Sequence, residues 1–124
     1  MTVVVDSDIL IEVLRARDAA ILLRWSSLAQ GRDIPLYSPV SAAEIWAGAR
    51  PAEHAQIVRL LRSMTCAAAW YETGRLAGEL LLQFNKSHGL RLGDALIAAT
   101  AIEHQAALWT RNRKHYPMKN LSFF

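Results

Sequence analysis

Three acidic side chains stand alone in apolar sequence, and their types and settings suggest metal-assisted chemistry. Asp6 ends the apolar run in TVVVDSDILI. Glu44, in SPVSAAEIWAG, is the only charge between Asp33 and Arg50. Asp94, in LRLGDALIAATAI, is the only charge from Leu92 to Ile102. A carboxylate set flush against apolar residues risks burial, and an unpaired buried charge is expensive. Several carboxylates gathered in one crevice also raise each other's pKa values. A hard divalent cation relieves both problems: magnesium favours oxygen ligands and often shares a few carboxylates with substrate phosphates. Each acid also has a plainer explanation. An acid in a first helical turn gains about 0.3–1 kcal/mol from the helix dipole, and Asp6 could simply cap a helix.

The elements that must position these acids follow from periodicity and punctuation. Thr2–Val5 is a β-branched strand, with Ser7 or Asp8 placed to cap a helix carrying Ile9, Leu10, Val13 and Leu14. A second helix covers 18–30 and ends at Gly31, and Ile34 to Ser38 reads as a second strand. Ser41 is expected to cap a short helix through Trp46, stopped by Gly48, which puts Glu44 in its first turn. Pro51 opens a helix to about Met64, followed by a brief strand near 65–67. A helix over 71–87 should turn Gly74, Ala77, Leu80, Leu81 and Phe84 inward, with Gly89 beyond its end. Residues 92–104 form a helix apolar on nearly every side, with Asp94 in its first turn. Ala107 to Thr110 and Leu121 to Phe124 read as short strands.

Strands alternating with helices predict an α/β fold, a parallel-stranded central sheet flanked by helices on both sides. In such sheets ligands collect outside the carboxyl ends of the strands, the level at which Asp6, Glu44 and Asp94 all fall. The stretch WTRNRKHYP brings Thr110, Asn112 and His115 to the same edge. Asn112 either orients a water on an ion and completes its shell or is a turn residue. Arg111, Arg113 and Lys114 form a basic cluster suited to phosphate or to a solvated loop. His54, His88 and His104 have no partner acid at ligand spacing, which disfavours zinc.

The bulk properties fit one domain spanning 1–124. The chain has 52% apolar and 20% charged residues, which suits a folded core, and no stretch approaches the length of a membrane span. An acid at position 6 interrupts any secretory signal. The one cysteine, Cys66, cannot form an internal disulfide, so a reducing cytoplasm is the expected setting. The net charge of +3, with arginine far outnumbering lysine, points weakly to an anionic partner.

Taken together and in order, VVVDSDILIEVL, SPVSAAEIWAG and LRLGDALIAATAIEHQAALWTRNRKHYP strongly resemble a PIN-domain ribonuclease of the VapC toxin type, over essentially the whole chain. The resemblance implies a PIN-like domain that cuts RNA with magnesium, for which manganese would substitute. Asp6, Glu44 and Asp94 would be the metal ligands, with Asn112 at a position where many relatives carry a fourth acid and others carry Asn. That departure puts a second tightly held ion in doubt. The implied partners are RNA, a cognate antitoxin and a second copy of the chain in a homodimer, with no membrane. Two rivals remain at this point. Asp6-Ser7-Asp8 also resembles the D-x-D of aspartyl-phosphate phosphatases, with Asp6 as nucleophile, although that scheme wants an acid where Ala98 stands. The other rival is a non-catalytic RNA-binding or partner-binding PIN relative, which would have no need of all three acids.

Overall fold

The computed structural model describes residues 1–124. A four-stranded parallel sheet forms its middle, with strands Thr2–Val5 (β1), Ile34–Tyr37 (β2), Thr65–Cys66 (β3) and Ala107–Trp109 (β4) in the order β3-β2-β1-β4. Six helices cover its two faces: Ser7–Arg15 (α1), Ala19–Gln30 (α2), Pro39–Ala47 (α3), His54–Arg62 (α4), Tyr71–His88 (α5) and Leu92–Glu103 (α6). Because side chains alternate along a strand, β1 feeds two cores. Val4 faces the cluster formed with Ala98, Leu108 and other residues, to which α5 and α6 contribute. Val3 and Val5 face the cluster containing Ile9, Leu28, Ile45 and Ile57 from α1 to α4. All three valines are fully buried, which explains a strand made of nothing but β-branched residues.

The register of β1 with β4 decides where the site lies. Val5 pairs with Trp109, and the amide of Asp6 donates to the carbonyl of Trp109 at 2.9 Å. Asp6 and Thr110, the residues following each strand, therefore leave the sheet side by side.

Several local expectations are revised. Asp6, rather than Ser7 or Asp8, is the N-cap of α1, and its side chain accepts from the Ser7 amide. Ser38, not Ser41, caps α3, accepting from the Val40 amide at 3.1 Å, because Pro39 takes the first helical position, where it loses no hydrogen bond. The helix thus starts earlier than expected, Glu44 lies in its second turn, and Ser41 is fully buried inside it with an unpartnered hydroxyl. Pro51–Glu53 forms a 3-10 turn ahead of α4. On α5 Ala77 and Leu80 are buried and Leu81 and Phe84 pack against the same core, but Thr73 joins them inside while Gly74 is exposed. The end of the chain makes a single parallel bridge, Leu108 to Phe123, instead of a full strand.

Gly89 makes the tight turn between α5 and α6 that sets the start of the helix carrying Asp94. Its φ of 62° is left-handed, and its amide donates back to the Asn85 carbonyl at 2.9 Å. A Cβ there would meet nothing within 4 Å, so any cost of adding one is backbone strain alone. Gly89→Ala should lower stability by about 1 kcal/mol, or roughly 3–6 °C in Tm for a domain of this size. An unchanged melting curve would show that the turn tolerates a side chain.

Candidate active site

The Asp6 carboxylate is 6% exposed and uses both oxygens. One accepts from the Ser7 amide at 2.7 Å. The other accepts from the Thr110 hydroxyl at 2.9 Å and the Tyr116 hydroxyl at 3.0 Å. Tyr116 also lies 3.3 Å from a carboxylate oxygen of Asp94. One phenol thus stands within hydrogen-bond reach of two acids from different elements, which places Asp6 and Asp94 together. Asp94 is half-buried, and its pKa is raised by burial first and then by the charge of Asp6. The Tyr116 hydrogen bond pulls it the other way, as do His115 and Arg91, neither of which pairs with it.

Glu44 stands on α3 at the mouth of a groove floored by Ile11, Leu14, Ile45 and Ile57. Its side chain is exposed, yet it too has a raised pKa. Partial desolvation comes first among the causes, followed by the charge of Asp6, with smaller contributions from Asp94 and Asp8. All three acids expected from sequence therefore share one electrostatic neighbourhood.

Sequence reasoning missed Asp8 except as a cap. One of its oxygens accepts from the Arg111 amide at 2.9 Å and lies 3.4 Å from both the Thr110 hydroxyl and the Asn112 amide nitrogen. The other is buried with no partner. Burial, then the charge of Asp6, raises its pKa. Asn112 is exposed and turned towards Asp8 rather than towards the Asp6–Asp94 pair. Tyr116, next to His115 in the sequence, is a second residue that the sequence alone does not mark. Burial, then the charges of Asp6 and Asp94, pushes its phenol pKa far upward, so it remains a donor. The i, i+2 spacing of Asp6 and Asp8 was the available signal for Asp8, whereas nothing local marks a tyrosine whose partners lie 110 and 22 residues away.

The basic cluster is partly committed to the fold. The Arg111 guanidinium reaches buried Glu12 at 3.2 Å and Asp18 at 3.6 Å. Arg113 donates to the Phe124 carbonyl and lies over the Phe123 ring. Lys114 makes neither an ion pair nor a hydrogen bond, and His115 is exposed beside it.

The distribution of ion pairs is the most informative feature. Of the 11 acids in the chain, Glu12, Asp18, Asp33, Glu53, Glu72 and Glu79 meet a cation. Five do not: Asp6, Asp8, Glu44 and Asp94 at this edge, and Glu103, which holds the Thr73 hydroxyl. A protein with 14 lysines and arginines leaves its most crowded carboxylates uncompensated. No three His, Cys, Asp or Glu side chains are arranged to grip an ion as they stand, because hydroxyl groups bridge the carboxylates instead. The donor set itself, all oxygen with mutually raised pKa values, fits a hard divalent cation. A nucleophilic role for Asp6, as in a phosphatase, lacks the later acid that scheme needs, since Ala98 stands at that position.

Residues 3–121 match the PIN domain family model, and the chain belongs to the PIN domain family. It is 42% identical over 118 residues to ribonuclease VapC10 of Mycobacterium tuberculosis, covering 94% of this chain and 86% of that protein. It is 32% identical over 115 residues to ribonuclease VapC19 of the same organism, covering 92% and 91%. Its fold matches that in the crystal structure of VapBC2 from Rickettsia felis bound to a promoter DNA fragment, with a TM-score of 0.83 at 19% identity, covering 100% of this chain and 98% of that one.

The raised carboxyl pKa values have a signed consequence. An acid that holds its proton more tightly when folded adds stability that is complete below its unfolded pKa and is lost as pH rises through the folded value. The ordinary values are 3.8 for Asp8 and Asp94 and 4.5 for Glu44. In EDTA, the advantage of Asp94→Asn over wild type should therefore be greatest near neutral pH and fade as pH falls towards that range. At neutral pH the variant should melt higher by roughly 3–6 °C, on the order of 1 kcal/mol for a solvent-screened, half-buried charge. A lower Tm for the variant would leave Asp94 as a partner of the helix dipole only.

Proposed function

We propose that this protein is a metal-dependent endoribonuclease, the toxin of a type II toxin–antitoxin pair, which hydrolyses phosphodiester bonds in RNA. The observation that carries this reading is the group of four carboxylates without cation partners at the carboxyl edge of a PIN-domain sheet. Its relation to two proteins named as VapC ribonucleases supports the same reading.

Asp6, Glu44 and Asp94 would hold magnesium or manganese. When bound, such an ion activates water and neutralises charge on the phosphate, so hydrolysis needs no nucleophilic side chain. The chain's own residues prepare that site. Ser7, Thr110 and Tyr116 fix the Asp6 carboxylate, and the first turn of α6 delivers Asp94. Asn112 lies beside Asp8, at the rim rather than the centre. We assign Lys114 the clearest role in holding RNA phosphate, with Arg111 and Arg113 dividing their donors between RNA and the fold.

The partners follow from the same reading: an RNA substrate, a cognate antitoxin and a second copy of the chain. Trp70, Tyr71, Leu82 and Leu92 are all more than 60% exposed and give a homodimer apolar surface to bury. No helix is long and apolar enough to cross a membrane, and Cys66 is free. Both fit a cytoplasmic setting.

Purified, antitoxin-free protein should cut structured RNA in magnesium or manganese, with new ends that vanish in excess EDTA and in Asp94→Asn. Cutting undiminished by EDTA would defeat the metal reading, and no cutting under any condition would defeat the nuclease reading. The basic loop gives a separable prediction. Lys114→Ala should weaken RNA binding and flatten its salt dependence by about 0.7 in log–log slope for a single-stranded contact, with Tm unchanged. Arg111→Ala should instead cost about 1–2 kcal/mol, because it strips the main partner from buried Glu12. That is less than for a fully buried pair, since Arg111 is half-exposed. Equal effects of the two variants on both readouts would refute this division.

A further inference from the structure

We infer that Tyr116 is a positioning residue for the ion-binding carboxylates: its hydroxyl holds Asp6 and Asp94 at the spacing from which they share one divalent cation. The inference rests on the metal-dependent reading above and adds to it a residue outside the acidic set.

The geometry is specific. Tyr116 is 3% exposed, its ring packed in the core cluster with Val4 and Leu108, so the position of its hydroxyl is fixed by the core and not by the acids. That hydroxyl lies 3.0 Å from an Asp6 oxygen at the end of β1 and 3.3 Å from an Asp94 oxygen in the first turn of α6. Two like charges on separate elements would otherwise relax apart, since nothing else joins them directly. The phenol has one proton for two acceptors. It shares that proton between the nearer Asp6 and the farther Asp94, which ties the two together and still leaves the pair short of positive charge. The Asp6 oxygen that takes Tyr116 also takes Thr110, whereas its other oxygen is held by Ser7 alone and keeps a lone pair that an ion would use, so the phenol has no need to leave when a cation arrives. Hydrogen bonds of this kind orient a ligand before the metal binds, and losing one typically weakens metal affinity about 10–100-fold.

The alternative is that Tyr116 is only a core aromatic whose hydroxyl finds the nearest acceptor. Tyr116→Phe separates the two, since it keeps the ring and removes the bridging oxygen. Antitoxin-free wild type and variant should be titrated with manganese chloride, with free ion followed by electron paramagnetic resonance and folding checked by melting in EDTA. The expected result is a folded variant that binds manganese at least about tenfold more weakly. Its RNA cleavage should be restored by raising the metal concentration, so that the metal requirement shifts more than the maximal rate. Equal or tighter manganese binding by Tyr116→Phe would overturn the inference, as would a loss of rate that added metal does not restore. If wild type binds no manganese, the metal reading itself fails and the role of Tyr116 fails with it. If wild type binds and cuts and the variant matches it, only the role of Tyr116 fails.

Discussion

The carboxylate of Asp6 is the constraint around which the rest of this site is organised. A buried carboxylate is tolerable only if it is hydrogen-bonded, and here the donors come from three parts of the chain: Ser7 in α1, Thr110 after β4, and Tyr116 near the C-terminus. Each of those donors exists because of a larger feature. The parallel pairing of Val5 with Trp109 brings Thr110 alongside, and the packing of the Tyr116 ring in the core cluster shared with α6 fixes where its hydroxyl lies. Asp6 is both the helix cap that a structural reading would assign and the centre of the acidic group. The two roles use different oxygens, so they do not compete.

The arrangement costs stability and, on the metal-dependent reading proposed above, gains affinity for a cation. Asp8, Glu44 and Asp94 all have raised carboxyl pKa values, with burial leading and the charge of Asp6 second in every case. A fold selected only for stability would place some of its 14 basic side chains here. Instead Arg111 turns to Glu12 and Asp18, fastening the second turn of α1 and the start of α2 to the loop after β4. Arg91 and His115 approach Asp94 without pairing. Cations build the walls and are withheld from the centre, as expected of a site strained for function.

Much of this was legible from sequence because the signals were local. Isolated acids in apolar runs marked Asp6, Glu44 and Asp94, and alternating strands and helices were enough for the parallel sheet. What failed did so for identifiable reasons. Ser38 and Ser41 are both plausible caps, and the choice turned on Pro39, which fits the first helical position and so moved Glu44 from the first turn to the second. Gly74 shares a periodicity with the inward residues of α5 but lies outside, and its neighbour Thr73 turns inward to donate its hydroxyl to Glu103. Leu121 to Phe124 has strand composition, yet only one residue finds a partner at the edge of β4. Arg111 and Arg113 read as free cations because their partners, Glu12, Asp18 and Phe124, are distant or lie in the main chain.

The functional and structural halves of the chain meet at residues 110–116. Within seven positions this loop supplies a hydroxyl to Asp6, a backbone amide and an arginine that anchor α1, an amide beside Asp8, an unpaired lysine and the bridging phenol. Its geometry is set at one end by β4 and at the other by the buried Tyr116 and Met118, with a 3-10 turn between. A shift of the loop therefore moves the donors on Asp6 and the cation available to a phosphate together. Because both ends are tied into the core, the acids are preorganised by packing rather than by their own interactions, which are repulsive. Crowded carboxylates can persist here because the attraction holding them in place comes from apolar burial on both faces of the sheet.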